Sequence, residues 1–323
     1  MIPTIILYDD APTSACSHWR ARGPFNELAR QGKINLIEGT WRDNETVLRK
    51  AHIAFFQRPM HDECKHQLYL AKDCGLKIWI DLDDYNHIPT HHPVYEVYKD
   101  KYHDGTFSKF MLMADQVTTT TDYLKNHYLT YSLNVDVIPN AVNDYWLKPR
   151  PLKTGNIVFL RAGTHHEHDI YEYKDEIIKT INKNEWRLKT AGSNPIFLQQ
   201  EIANYKYAGD YNVHDYFSYI LQCQASVFIL PLLDNELNRA KSNIGWQEAT
   251  LSGAATLSPE WFGLDGYSLA YSDKKTFSAG LNRLLTKPEL RKELHSKSLK
   301  LLKEKYFLST VNNQRMEIIK KLM

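Results

Sequence analysis

Short apolar runs alternate with longer amphipathic stretches along nearly the whole chain. "TIILYD" (4–9), "INLIEG" (34–39), "HIAFFQR" (52–58), "LKIWIDLD" (76–83), "QVTTTT" (116–121) and "VDVIPN" (135–140) have the length and composition of strands. Between them, "HWRARGPFNELARQG", "HDECKHQLYLAKDCG" and "TFSKFMLMA" are spaced as helices, with Gly32 and Gly75 where C-caps fall. The alternation then restarts. "GNIVFLRAG" (155–163), "WRLKTAG" (186–192), "YKYAG" (205–209), "ASVFILPLL" (225–233), "AATLSP" (254–259) and "YSLAYS" (267–272) form a second strand series, with "EYKDEIIKTINK", "HDYFSYILQCQ" and "SNIGWQEATLSG" as its helices. This order predicts an α/β fold of two doubly wound, Rossmann-like domains facing a central cleft, with ligands at the carboxyl ends of the strands. The expected divisions are residues 1–146, residues 147–300, and a C-terminal helix over 301–323 that packs back toward the first domain. Pro149 and Pro151 mark the join.

One helix departs from a simple core pattern. On a helical wheel of 243–252, Ile244 and Leu251 share one direction, while Gly245, Ala249 and Ser252 make a face almost without bulk. Such a face admits a neighbouring backbone or a flat ligand. Glu248 lies at its edge, and a carboxylate there needs a donor partner. One reading is a structural ion pair with Lys241 or Arg239. The other is a ribose clamp, with the helix N-terminus, Lys241, Ser242 and Asn243 meeting the attached phosphates.

Composition narrows the classes. The 323 residues are 43% hydrophobic and 24% charged, the profile of a globular protein with room for two cores. No stretch approaches the ~20 apolar residues of a membrane span, so no integral membrane segment is expected. "MIPTIILYDDAP" lacks a basic region before its apolar run and reads as a first strand instead of a signal peptide. The four cysteines show no CxxC spacing, which suits reduced thiols in a cytoplasm. A net charge of +2 neither identifies nor excludes a nucleic-acid partner, although lysine and arginine are dense from Lys287 to Lys321. No GxGxxG motif is present, which argues against a nicotinamide dehydrogenase.

The run "ASVFILPLLDNELNRAKSNIGWQEATLSGAATLSP" resembles the donor-site segment of GT-B glycosyltransferases of the "glycosyl transferases group 1" (family four) class. "YKYAGDYNVHDYFSYILQCQ", "ACSHWRARGPFNELARQG", "AFFQRP", "IWIDLDDYNHIP" and "ADQVTTTTDYLKNHY…VDVIPNAVN" are similar to the same class, so the resemblance spans most of the chain in short pieces. It implies a GT-B fold and a retaining transfer of sugar from a nucleotide-diphosphate sugar, UDP-sugar first, with no required cofactor or metal. Glu248 matches the second glutamate of the E-x7-E motif, which holds the donor ribose; the first is replaced by Ala240. Arg161 matches the diphosphate-binding arginine, with Gly163 beside it; the family's partner lysine is not evident, and "AGTHHEHDIYEY" offers histidines instead. Tyr211, in the loop after Gly209, is a candidate for stacking near the nucleobase, the alternative being an ordinary surface tyrosine.

Further candidates gather in the first half. Arg20, after the first strand, suits an acceptor or a phosphate. Asp81, Asp83 and Asp84, with His91 and His92, fall where acceptor-binding and catalytic groups are expected, and Asp83 or Asp84 would serve as general base if the enzyme inverts. Asp81-x-Asp83 also has the form of a metal-binding DxD, but the short run offers too few oxygens. "HHEHD" (165–169) is a poor zinc set because adjacent histidines in a loop seldom converge on one ion, and nothing brings a fourth ligand close to His61, Cys64 and His66. The expected acceptor is a glycan or lipid-linked intermediate. The alternatives are hydroxymethylated bases in phage DNA and a non-catalytic nucleotide-sugar binder.

Overall fold

Each apolar run becomes a strand in the computed structural model, and the strands assemble into two six-stranded sheets with parallel pairing throughout. The structure describes every residue except 10, 60–61, 91, 93–94, 97–98, 100–104 and 162–165. The chain divides into two units. Unit 1 holds Met1–Asn143, Ala240–Ser242 and Leu308–Met323; unit 2 holds Asp144–Arg239 and Asn243–Phe307.

Unit 1 contains β1 (Thr4–Asp9), β2 (Asn35–Glu38), β3 (Ile53–Gln57), β4 (Lys77–Leu82), β5 (Gln116–Thr119) and β6 (Val135–Val137), in the order β2-β1-β3-β4-β5-β6. β3 is buried at every position and β1 and β4 at all but the first, which is why their runs lack polar alternation. Its helices include α1 (Gly23–Arg30), α2 (Asp62–Asp73), α3 (Thr106–Met113) and α4 (Asp122–Tyr128). Gly32 and Gly75 sit at φ +68° and +82°, the left-handed geometry of helix ends. A π-helical turn, His18–Arg22, leads into α1. The extra residue brings the backbone so close that a Cβ on Gly23 would lie 2.3 Å from the His18 carbonyl oxygen. Phe25, Leu28, Phe55 and Trp79 form the core with Val311 and Ile319 of the C-terminal helix, Leu308–Leu322.

Unit 2 contains β7 (Ile157–Leu160), β8 (Arg187–Thr190), β9 (Tyr205–Tyr207), β10 (Val227–Ile229), β11 (Ala255–Pro259) and β12 (Leu269–Tyr271), in the order β12-β11-β10-β7-β8-β9. Its helices include α5 (Glu167–Glu172), α6 (Lys174–Lys183), α7 (Ile196–Glu201), α8 (Val213–Gln222), α9 (Ile244–Ser252), α10 (Lys274–Thr286) and α11 (Pro288–Lys305). Val158, Leu188, Val227 and Leu257 from the sheet meet Ile177, Phe277 and Leu281 from α6 and α10 in a second core. Leu301 and Leu302 still belong to α11, so the helix that joins unit 1 starts later than the sequence pattern suggests.

Candidate functional site

In unit 2 the strand order reverses between β7 and β10, and a doubly wound sheet holds ligands at the carboxyl ends of such strands. Arg161 is the first residue beyond β7, and its N–H donates to Ile229 O of β10 at 3.0 Å. The chain leaving β10 leads into α9, in which Gly245 through Ser252 are all buried. Three of their polar side chains donate locally: Thr250 to Trp246 O, Ser252 to Ala249 O, and the Gln247 amide nitrogen to Asn243 Oδ1. The small-residue face is filled from within the protein. A Cβ on Gly245 would lie 2.1 Å from Leu230 Cδ2 and 3.5 Å from Arg161 Cδ, so at Gly245 the face packs on these side chains. Arg161 is thereby brought next to Glu248, about one helical turn further on.

Glu248 is 1% exposed and takes three hydrogen bonds. Arg161 donates from Nε to Oε2 at 3.0 Å and from Nη2 to Oε1 at 3.2 Å, and Tyr216 of α8 donates its hydroxyl to Oε2 at 2.9 Å. The ion pair that the sequence suggested with Lys241 or Arg239 is therefore made with Arg161. Arg239 instead pairs with Asp234, and Lys241 lies 3.5 Å from Asp84. Burial opposes the Arg161 charge, but Glu248 outweighs it and raises the pKa, so the guanidinium is fixed as a cation. Burial, then the Glu248 charge, push the Tyr216 hydroxyl well up, which keeps it a donor. A guanidinium has five N–H groups and the fork to Glu248 uses two. The Arg161 side chain remains 28% exposed, with N–H groups to spare.

The other donor-side candidates are more dispersed. Asn243 occupies the N-cap position of α9 and accepts the Trp246 and Gln247 backbone N–H groups through its carbonyl. Tyr211, 37% exposed, stacks on Tyr219 with ring centroids 5.1 Å apart and donates to Ala208 O. Lys241 and Ser242 cluster with unit 1, where the Asn140 amide donates to Ser242 Oγ at 2.9 Å. Gly163 lies outside the described residues. His166, of the histidine run, pairs through Nδ1 with Asp169 Oδ2 at 2.6 Å. Among the described residues no group of three His, Cys, Asp or Glu could hold a metal ion.

Unit 1 corrects two expectations. Arg20 and Asp81, expected to meet an acceptor or phosphate, are 1% and 2% exposed and bond to each other through Nε–Oδ1 at 2.9 Å and Nη2–Oδ2 at 2.7 Å. Arg20 Nη1 donates to Ile138 O, and Thr118 donates to Asp81 Oδ2, so the pair is an internal brace. The π-helical turn and the carboxyl end of β4 point the two charges inward at each other, a fact of topology invisible in the residue order. Asp83 and Asp84 are both held by Arg58, which follows β3 in the left-handed region at φ +48°. Burial first, then Asp83, push the adjacent Cys16 thiol up to about 12. His92 is half-buried in a turn, its N–H donating to Pro89 O. His91 lies outside the described residues.

Sequence reasoning missed Tyr216 and Arg58 as site groups. Tyr216 sits in a run whose spacing signals only a helix, and its carboxylate partner is 32 residues away. Arg58 did carry a signal: a cation directly after an apolar run and before Pro59 marks a strand's carboxyl end.

Two doubly wound α/β units with parallel sheets match the architecture of solved GT-B glycosyltransferases. No family model matches the sequence, and no curated protein matches it in sequence. The similarity is to solved structures. Sucrose-phosphate synthase from Thermosynechococcus elongatus superposes with a TM-score of 0.71 at 12% identity, over 99% of each chain. An alpha-glucosyltransferase in complex with UDP-glucose and DNA containing an abasic site gives 0.68 at 10% identity, over 98% of this chain and 99% of that one. A glycosyltransferase from Rickettsia africae gives 0.62 at 11% identity, over 99% and 98%. Among the described residues no helix is long and apolar enough to cross a membrane.

Proposed function

We propose that the chain is a glycosyltransferase that moves a sugar from a nucleotide-diphosphate sugar, UDP-sugar first, to an acceptor hydroxyl with retention of configuration. The observation that carries this reading is the Arg161–Glu248–Tyr216 constellation at the strand-order reversal of unit 2. The chemical demand is the departing diphosphate, on which negative charge grows. Arg161 answers it with the N–H groups left over from Glu248, each such donor contributing ~2–4 kcal/mol in the transition state. Glu248 accepts from the ribose and fixes the donor's position. Tyr211 and Asn243, also of unit 2, complete the donor side. Unit 1 provides the acceptor side from Asp83, Asp84, His91 and His92, and Arg58 holds the two aspartates in place.

The acceptor is a glycan or lipid-linked intermediate in the first reading. A DNA acceptor is the second, favoured by the end-to-end correspondence with the alpha-glucosyltransferase whose structure holds DNA. Thermal shift against UDP-, GDP- and ADP-sugars, followed by calorimetric titration, tests the donor assignment. Arg161→Ala is expected to weaken binding of the preferred donor ~10- to 100-fold, the loss of hydrogen bonds to a charged group. Undiminished affinity in that variant, or no binding of any donor by the wild type, would overturn the reading. Transfer assays at rising salt then separate the acceptors: duplex binding falls steeply with salt, and sugar binding does not.

A further inference from the structure

A carboxylate offers about four lone-pair positions, two on each oxygen. Oε2 of Glu248 already accepts from Arg161 Nε at 3.0 Å and from Tyr216 at 2.9 Å, and Oε1 accepts from Arg161 Nη2 at 3.2 Å. Held by Arg161 alone, the carboxylate would keep one open position on each oxygen and could accept both hydroxyls of a cis-diol. The Tyr216 hydroxyl fills the second position on Oε2. What remains is one position, on Oε1.

We propose that Tyr216 is a positioning residue that restricts Glu248 to a single ribose hydroxyl, so that the site distinguishes the 2′- from the 3′-hydroxyl of its nucleotide. The inference rests on the reading of unit 2 as the nucleotide site. Tyr216 is well suited to the task because it cannot readily change roles. Its hydroxyl stays protonated beside Glu248 and donates to it, and α8 is anchored beneath it by buried Phe217 and Ile220. Arg161, by contrast, donates through a fork that leaves the two carboxylate oxygens equivalent, so by itself it imposes no preference between hydroxyls.

The test is calorimetric titration of the full chain with whichever of UDP, GDP and ADP binds tightest, and with its 2′-deoxy and 3′-deoxy analogues. In the wild type one analogue is expected to bind about tenfold more weakly, the value of one hydrogen bond to a charged acceptor, and the other nearly as well as the parent. In Tyr216→Phe the freed position on Oε2 lets both hydroxyls bind, so both analogues should be weakened to a similar extent relative to the parent. Equal weakening by both analogues in the wild type would overturn the proposal without need of the variant. Retention of one-sided selectivity in Tyr216→Phe, with its melting temperature confirming the fold, would overturn the role of Tyr216 alone. Failure of every nucleoside diphosphate to bind the wild type would instead remove the nucleotide-site reading, and this inference with it.

Discussion

Replacing Glu248 with alanine strands the Arg161 guanidinium without its counter-charge. Breaking a buried pair from one side costs ~3–5 kcal/mol, and the exposure that Arg161 keeps places the loss near 3 kcal/mol. Glu248→Gln removes the same counter-charge but retains an amide oxygen for Arg161, and is expected to recover about 1 kcal/mol of that loss, one net hydrogen bond. Urea denaturation of both variants beside the wild type checks the ordering, and variants as stable as the wild type would show that the pair carries no net energy. Binding defects of Glu248 are therefore best measured in the glutamine variant. Arg315 presents the opposite case. It is 2% exposed, Nη1 reaches Asn312 Oδ1 at 3.2 Å, and Nη2 has no partner. Burial first, then the nearby Arg20 charge, lower its pKa to about 9. An unfolded arginine holds its proton far above that, so the penalty is fully present at neutral pH and eases as pH rises through the folded value. Arg315→Met is expected to stabilise by about 2 kcal/mol at neutral pH, within the range for replacing a buried charge by hydrocarbon. The advantage should shrink above about pH 9, as melting curves at neutral and alkaline pH would show. At this scale the sequence exposed Glu248, because a carboxylate among small and apolar helix positions is conspicuous. It could not expose the partner, since Arg161 lies 87 residues away on another strand. Arg20 and Asp81 looked equally promising in the sequence because residue type and order do not reveal which charges a π-turn points inward.

Helix ends and turns show how much of each element is local. Gly253 terminates α9 at φ +89°, and a Cβ there would lie 2.1 Å from Pro151 O. Gly32, after α1, has φ +68° and nothing within 4 Å of a built Cβ. Gly32→Ala is expected to cost ~1–2 kcal/mol, the backbone price of the left-handed region. Gly253→Ala adds a backbone collision to the same term and should exceed ~3 kcal/mol, since that clash cannot be relieved by a side-chain rotation. Chemical denaturation of the two variants in parallel decides it; similar losses would mean that the segment around Pro151 yields. Gly32 was legible as a helix stop and Gly253 closes the run read as a helix, but only packing separates them. The same contrast runs through the elements generally. The strands were legible because parallel sheets covered on both faces require unbroken apolar runs. The short helices Ile196–Glu201 and Glu236–Arg239 were not, because one or two turns give too little periodicity to stand out. α4 did announce itself through Thr121, whose side chain accepts the Leu124 N–H as an N-cap, yet its seven residues were overshadowed by the strand before it.

The two units have separate hydrophobic cores, one drawn from β1, β3, β4, α1 and the C-terminal helix, the other from β7, β8, β10, β11, α6 and α10. The strand orders also differ: unit 1 reverses between β1 and β3, unit 2 between β7 and β10. This difference was beyond the sequence, since strand order depends on which crossovers the helices take and not on the strands' own composition. It matters for function because the Arg161–Glu248–Tyr216 constellation is contained in unit 2. A ligand that binds only the folded form stabilises it by ~2.7 kcal/mol at 100 times its dissociation constant. That energy enters every opening that dismantles the site and none that leaves it intact. Saturating nucleotide-diphosphate sugar is therefore expected to slow hydrogen exchange in β7, β10 and α9 by about 100-fold where exchange needs the site to open, the equivalent of that free energy. Exchange in β1 and β3 should change far less. A gain confined to unit 1 would move the nucleotide site there and leave Glu248 as a structural carboxylate. An equal gain in both units would show that they open together. The expected pattern, protection centred on the strand ends that bear Arg161 and Ile229, would tie the chemistry to the point where the sheet of unit 2 reverses.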